Sequence, residues 1–271
     1  MCPRIWLARR PVLEPSVSCG LSGQAHTSSV KDMSSRLIVL GGCGGWPEGG
    51  RACSGFVLEH QGFRVVLDLG YGTLPRLLAL LGSPGGEGIG AVIVTHRHPD
   101  HMIDLHGLLR ARRFTHPAAP AIPLYAPGGV VERVASLEEN DGITVNQVFD
   151  WHRLPAPPTA VGPFRLERMF LPHYVPNAGV RLTAPGLTVA YTGDTGPDPA
   201  LATLGRLADL YIMDATSLHQ QPQPPGTASG PPMLLTARAS RLLHPHLARQ
   251  QPPAVTSRSR REIHRTDPDR R

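Results

Sequence analysis

The sequence predicts a mixed α/β (α+β) domain, and two observations carry that expectation, with a third pointing to its chemistry. Short apolar runs rich in Val, Ile and Leu alternate with stretches of helical spacing, as interleaved strands and helices require. Glycine and proline, 29 of each, punctuate the joins between these runs. Three imidazoles and one carboxylate crowd into the six positions from His96 to His101, directly after the apolar run Ala91-Val92-Ile93-Val94. Between compositionally different ends, about 200 residues of the 271 remain, enough for one domain with a sizeable core.

Taken in order, residues 36–40 read as a first strand running into the glycine-rich turn Gly41-Gly42-Cys43-Gly44-Gly45. That turn lacks the lysine and serine order of a phosphate-binding P-loop, so it is expected to be a tight turn only. Residues 52–59 and 63–70 read as paired strands joined around Gly62, and the leucine-rich residues 74–81 as a helix on the first sheet. Residues 91–94 form a strand. Residues 102–114 form a helix whose Leu105, Leu108 and Leu109 are spaced for burial, with arginines opposite. A strand at 122–126 and a helix at 130–137 follow. Residues 163–171, 179–183 and 187–192 read as strands of a second sheet, with a helix at 201–207 and a strand at 210–213. No internal repeat stands out.

Charge divides the chain in the same way. Residues 33–236 carry 14 arginines against 16 acids, whereas residues 237–271 carry nine arginines against three acids. The net charge of +6 therefore belongs to the ends, which argues against a nucleic-acid footprint spread across the folded surface. One lysine, Lys31, occurs against 26 arginines. Residues 1–35 read as a disordered extension, with Met33 a plausible start. Residues 237–271, rich in arginine and proline and without periodicity, read as a disordered or frame-shifted tail. No apolar run reaches membrane-spanning length, and Ile5-Trp6-Leu7-Ala8 is too short for a secretory signal, so a soluble, cytoplasmic protein is expected. Cys2, Cys19, Cys43 and Cys53 show no paired spacing, in keeping with reduced thiols.

The chemistry concentrates in Thr95-His96-Arg97-His98-Pro99-Asp100-His101. Neutral imidazoles and carboxylates are the ligands that borderline metals such as zinc prefer. In an extended turn His96 and His98 can point the same way, while Asp100 and His101 begin a new element and can face a neighbouring position. Without a cation or hydrogen bonds, burying such a cluster is costly. A lone histidine is usually a surface or satisfied core residue; the whole string after a strand is much more specific.

This string resembles the signature of the metallo-β-lactamase superfamily. Asp68-Leu69-Gly70-Tyr71-Gly72-Thr73 resembles the turn of its ribonuclease Z-like, phosphodiesterase branch. Leu171-Pro172-His173 resembles the third motif and Tyr191-Thr192-Gly193-Asp194-Thr195 the fourth. The resemblance covers about residues 36–236. It implies a four-layer αββα sandwich whose domain spans 36–236, here with its last helix–strand unit missing. It also implies two Zn²⁺ ions, Mn²⁺ being the alternative. His96, His98 and His173 would hold one, Asp100 and His101 the other, and Asp194 would bridge them. Asp68 would orient a ligand, or else simply cap a turn; His173 could also be a plain loop residue.

The implied reaction is hydrolysis by a hydroxide shared between the metals, on a small phosphodiester or RNA, with Asp100 and Asp68 assisting. A homodimer is compatible with it. Two departures matter. Met213-Asp214-Ala215-Thr216 stands where the branch has His-Glu-Ala-Thr, His219 being either a substitute or an exposed histidine at a helix start, and no basic exosite arm for transfer RNA is seen. The final metal-binding histidine is also not evident, Leu242-Leu243-His244-Pro245-His246 being a faint match, so the second metal site is expected to be incomplete. A lactonase or thioesterase of the same fold, or a catalytically impaired remnant, are the rival readings.

Overall fold

A computed structural model describes residues 35–138, 144–154 and 157–213 and the backbone of Leu242–Leu243. It contains two six-stranded sheets. The first begins with the meander β1 (Ser35–Gly41), β2 (Gly55–His60) and β3 (Phe63–Leu69), turned tightly at Gln61-Gly62 so that His60 pairs with Phe63. From there the chain crosses over through helices. Helix α1 (Thr73–Leu81) leads to β4 (Ala91–Ile93); α2 (Pro99–Met102) and α3 (Asp104–Thr115) lead to β5 (Ile122–Ala126); α4 (Val130–Ala135) leads to β6 (Phe149–Arg153). β3 to β6 are all parallel, which demands such crossovers.

The second sheet is an antiparallel run of β7 (Thr159–Val161), β8 (Phe164–Leu171), β9 (Asn177–Ala184) and β10 (Leu187–Tyr191). After α5 (Ala200–Leu204), β11 (Leu210–Ile212) joins β10 in parallel, and β12 (Leu242–Leu243) joins β11 in parallel.

Strand periodicity builds the layers. Phe56, Leu58, Val65, Leu67, Ala91 and Ile93 point from the first sheet to Phe164, Leu166, Val180, Leu182, Val189 and Tyr191 of the second. The intervening Val57, Val66 and Val92 point the other way, against Leu77, Leu105, Leu108, Leu109 and Val134 of the helices. Ala190 and Tyr211 on the far face of the second sheet pack on Leu201 and Leu204 of α5. Helix, sheet, sheet, helix is the four-layer order expected.

The differences are local. The helix expected over 102–114 is two helices, because α2 closes at Met102 and α3 starts at Asp104. β6 and β7 went unread: β6 buries Phe149 and leaves Asp150, His152 and Arg153 exposed, while β7 has three residues. Pairing draws two residues of the arginine- and proline-rich segment, Leu242 and Leu243, into the second sheet as β12. Asp214, Ala215, Thr216, His219, His244 and His246 lie outside the described residues, as does nearly all of 1–35.

Candidate metal centre

Ligands in open α/β sheets collect at the carboxyl ends of strands, and the candidate residues do so here. His96 and His98 follow β4, Asp100 and His101 lie on α2, His173 follows β8 and Asp194 follows β10. Pro99 at the first position of α2 starts the helix as soon as His98 has left its extended conformation. That turn brings His101 beside His96, with ring centroids 4.2 Å apart, and sets Asp100 next to it. Gly193 takes a left-handed φ of 59°, and a Cβ there would lie 2.7 Å from Thr95, so only glycine lets the β10 loop approach β4 and deliver Asp194.

All six residues converge. His96 Nε2 is 3.1 Å and His173 Nε2 2.9 Å from His98 Nδ1. Asp194 closes this group, with Oδ2 3.9 Å from His96 Nε2. In the second group His101 Nε2 is 3.1 Å from Asp194 Oδ1 and 3.4 Å from Asp100 Oδ2. One ligand atom from each of His96, His98, His173 and Asp194 lies within 4.8 Å of the others, as do those of Asp100, His101 and Asp194. Asp194 is common to both groups.

Asp68 sits beneath this cluster, fully buried and with a positive φ of 57°. Its carboxylate accepts from His101 Nδ1 at 2.7 Å, from the Tyr191 hydroxyl at 2.6 Å and from the Thr95 amide at 2.7 Å. The Thr95 hydroxyl also donates to it, at 2.9 Å to Oδ2, and in turn accepts from His96 Nδ1 at 3.1 Å. These contacts hold His96 and His101 with both Nε2 atoms turned to the centre, where each can offer a lone pair to a metal ion. Gly70 serves the same approach: a Cβ on it would lie 1.8 Å from the carbonyl oxygen of Asp100.

The electrostatics suit a cation. Burial, reinforced by the charge of His101, holds His96 well below the usual histidine range, and burial likewise lowers His98 and His173. Burial works against charge on His101 too, yet the carboxylates of Asp194 and Asp68 outweigh it and lift that imidazole well above its usual range. Burial also opposes ionisation of Asp100, but the hydrogen bond and charge of His101 and the Gly45 amide (2.9 Å) bring it to about 2. His101 Nε2 is buried between the carboxylates of Asp194 and Asp100. A buried imidazole nitrogen set between two carboxylates calls for a positive charge, which is either the proton its raised range favours or a metal ion that displaces that proton. The donor set, nitrogen with carboxylate oxygen, fits zinc or a similar divalent metal.

With the fold and these clusters in place, comparison with known proteins is direct. The β-lactamase superfamily domain model matches residues 63–255. The chain belongs to the metallo-β-lactamase superfamily. Bacillus subtilis YhfI, a probable metallo-hydrolase, is 26% identical over 201 residues, covering 72% of this chain and 77% of that protein. Its crystal structure matches with a TM-score of 0.62 over 78% of this chain and 84% of that one. Ribonuclease Z of Kineococcus radiotolerans is 31% identical over 191 residues, 66% of this chain and 60% of that protein. The short form of human tRNase Z shares the fold, with a TM-score of 0.64 at 24% identity, covering 78% and 92% of the two chains. The superfamily match runs past residue 236, as does β12.

Sequence reasoning overlooked the parts of Thr95, Tyr191 and the Gly45 amide. Thr95 and Tyr191 belong to the motifs already recognised. A polar side chain buried at the end of an apolar strand needs a partner, and that signal could have paired both with Asp68.

Proposed function

We propose that this protein is a metal-dependent hydrolase of phosphodiester bonds, with zinc as its resident metal and a reducing cytoplasm as its compartment. The observation that carries the reading is the pair of ligand groups sharing Asp194, with imidazole Nε2 atoms turned inward by Asp68 and Thr95. His96, His98, His173 and Asp194 would hold one ion; Asp100, His101 and Asp194 the other. Two such ions supply a nucleophile at neutral pH and neutralise charge developing on a phosphoryl oxygen. Asp100, held at about 2, remains a carboxylate at working pH, so it orients a water rather than storing a proton. Asp68 acts through His101 and keeps its Nε2 aimed at the centre.

The choice of phosphodiesters over other substrates of the fold is supported by the ribonuclease Z relatives and by the Asp68-to-Thr73 turn. In that turn Thr73 closes back on the Gly70 carbonyl at 2.7 Å and Gly72, left-handed at φ 76°, caps α1. Among the described residues no helix is long and apolar enough to cross a membrane.

The test is a comparison on one zinc-loaded preparation. Rates are measured for a chromogenic phosphodiester, a lactone and a β-lactam of similar size. The phosphodiester is expected to be cleaved fastest; a marked preference for the lactone would move the protein to the ester-hydrolysing branch.

A further inference from the structure

On the His98 side of the metal centre lie three arginines that, among the described residues, have no carboxylate in ion-pair contact. Arg97 lies inside the ligand string, Arg133 on α4, and Arg153 at the end of β6. Gly128 and Gly129, consecutive residues between β5 and α4, bring two of them together. A Cβ on Gly129 would fall 2.7 Å from Arg97 Cδ and 3.0 Å from its Nη1; one on Gly128 would fall 3.2 Å from Arg153 Nη2. Both guanidinium groups therefore pack over a single Gly-Gly step, and a side chain at either position would displace them. Arg133 lies one turn into α4, its amide donating to the Gly129 carbonyl at 3.4 Å, on the side of His98.

Charge balance is missing at this place. Among the described residues, none of the three arginines has a carboxylate in ion-pair contact, whereas Arg36, Arg51, Arg64, Arg110 and Arg165 each have one. The nearby Glu132 carboxylate accepts from the Gly129 amide at 2.8 Å and makes no ion pair with any of the three among the described residues. Arg97 Nε is buried and without a hydrogen-bond partner among the described residues. A buried, unsatisfied guanidinium donor is costly, and neighbouring like charges repel. A bound anion would offset the repulsion, and the planar guanidinium fork matches phosphate oxygens.

We infer that Arg97, Arg153 and Arg133 form an anion subsite that holds a second phosphoryl group of the substrate, beside the phosphodiester at the metal centre. The inference rests on the phosphodiester reading and narrows it. The preferred substrate is a diester that carries at least one further phosphate, and simple monoanionic diesters use only half of the site.

Binding to the zinc-loaded full chain tests this without turnover, by calorimetric titration with thymidine 3′,5′-bisphosphate, thymidine 5′-monophosphate and inorganic phosphate. The wild type is expected to bind the bisphosphate about tenfold more tightly than the monophosphate, in line with charge-assisted contacts to a second phosphate. The double variant R133Q/R153Q, changed at two exposed side chains, is expected to bring that ratio to within about twofold, while R153K retains part of it. Zinc content by elemental analysis checks that the centre itself is intact. A wild type without preference, or a double variant that keeps it, overturns the proposal. So does inorganic phosphate binding that R153Q abolishes while the bisphosphate shows no advantage, since that would assign the arginines to a free anion. Preferential bisphosphate binding in a protein that cleaves no diester would leave the subsite standing and defeat the hydrolase reading instead.

Discussion

The two candidate ligand groups draw on one seven-residue string, yet they are held in different ways. The first group is completed from far away in the chain. His173 and Asp194 arrive from the second sheet, and His98 and His173 remain partly open to solvent. The second is sealed: His101 is fully buried, Asp100 is 7% exposed, and both are tied down from beneath or beside by Asp68 and the Gly45 amide. Among the described residues the first has four candidate ligands and the second has three, one of them shared. The open group depends on its own side chains, and the sealed group depends on what lies behind them.

The largest expected effect breaks the open group. With His96 and His98 both changed to alanine, His173 and Asp194 are left, too few for a tetrahedral shell. About one ion per chain should disappear on elemental analysis, and hydrolysis should fall by at least about a hundredfold, the upper range for losing mere support of a ligand. Full metal content in this variant would refute the ligand assignment.

The sealed group should break from behind. Asp68→Asn keeps the shape but removes the charge that His101 Nδ1–H and three other donors share, so metal affinity at the second group is expected to drop about 10–100-fold. Tyr191→Phe removes a single donor to the same carboxylate. Burial and the charge of Asp68 raise that phenol well above its usual range, so the hydroxyl keeps its proton and donates throughout the working pH. Its loss should cost about 2 kcal/mol, as for a hydrogen bond to a charged group. A melting temperature lower by roughly 4–8 °C is the readout. Chelator competition that finds the second group no weaker in Asp68→Asn would show that its ligands need no support.

How much of this was legible follows from where the information sits in the chain. The ligand string was readable because six consecutive positions carry it and because strand β4, apolar throughout, announces it. The layer order was less readable from periodicity, since β4 and β11 have three residues each and bury every one or nearly every one of them; a fully buried strand shows no alternation to count. His173 and Asp194 became visible only through motif resemblance, because nothing local says that loops after β8 and β10 meet the loop after β4. The convergence depends on sheet packing and on the glycine at position 193. β6 escaped because its Asp150-Trp151-His152-Arg153 has the polarity of a loop, although pairing with β5 makes it a strand. The arginine cluster was not legible: Arg97, Arg133 and Arg153 are 20 or more residues apart in the chain, and the Gly128-Gly129 step brings Arg97 and Arg153 together.

The smallest effect tests whether the two groups are independent. Thr95 is the link between them: its hydroxyl accepts from His96 Nδ1 and donates to Asp68, which holds His101. Thr95→Val keeps the buried volume and the amide donor to Asp68 but cuts the chain at the hydroxyl. Both groups should then weaken together, each by a few-fold and at most about tenfold, the low end of the range for supporting contacts. Thr95→Ser restores the oxygen without the methyl and should return affinity in both. Stepwise competition with a zinc chelator separates the two ions. If Thr95→Val shifted only the first step, His96 would be oriented without reference to Asp68. If it shifted only the second, the Thr95 hydroxyl would belong to Asp68 alone. A joint shift that serine reverses marks one hydrogen-bond chain serving both groups, so that the open half of the centre is also held, in part, from beneath.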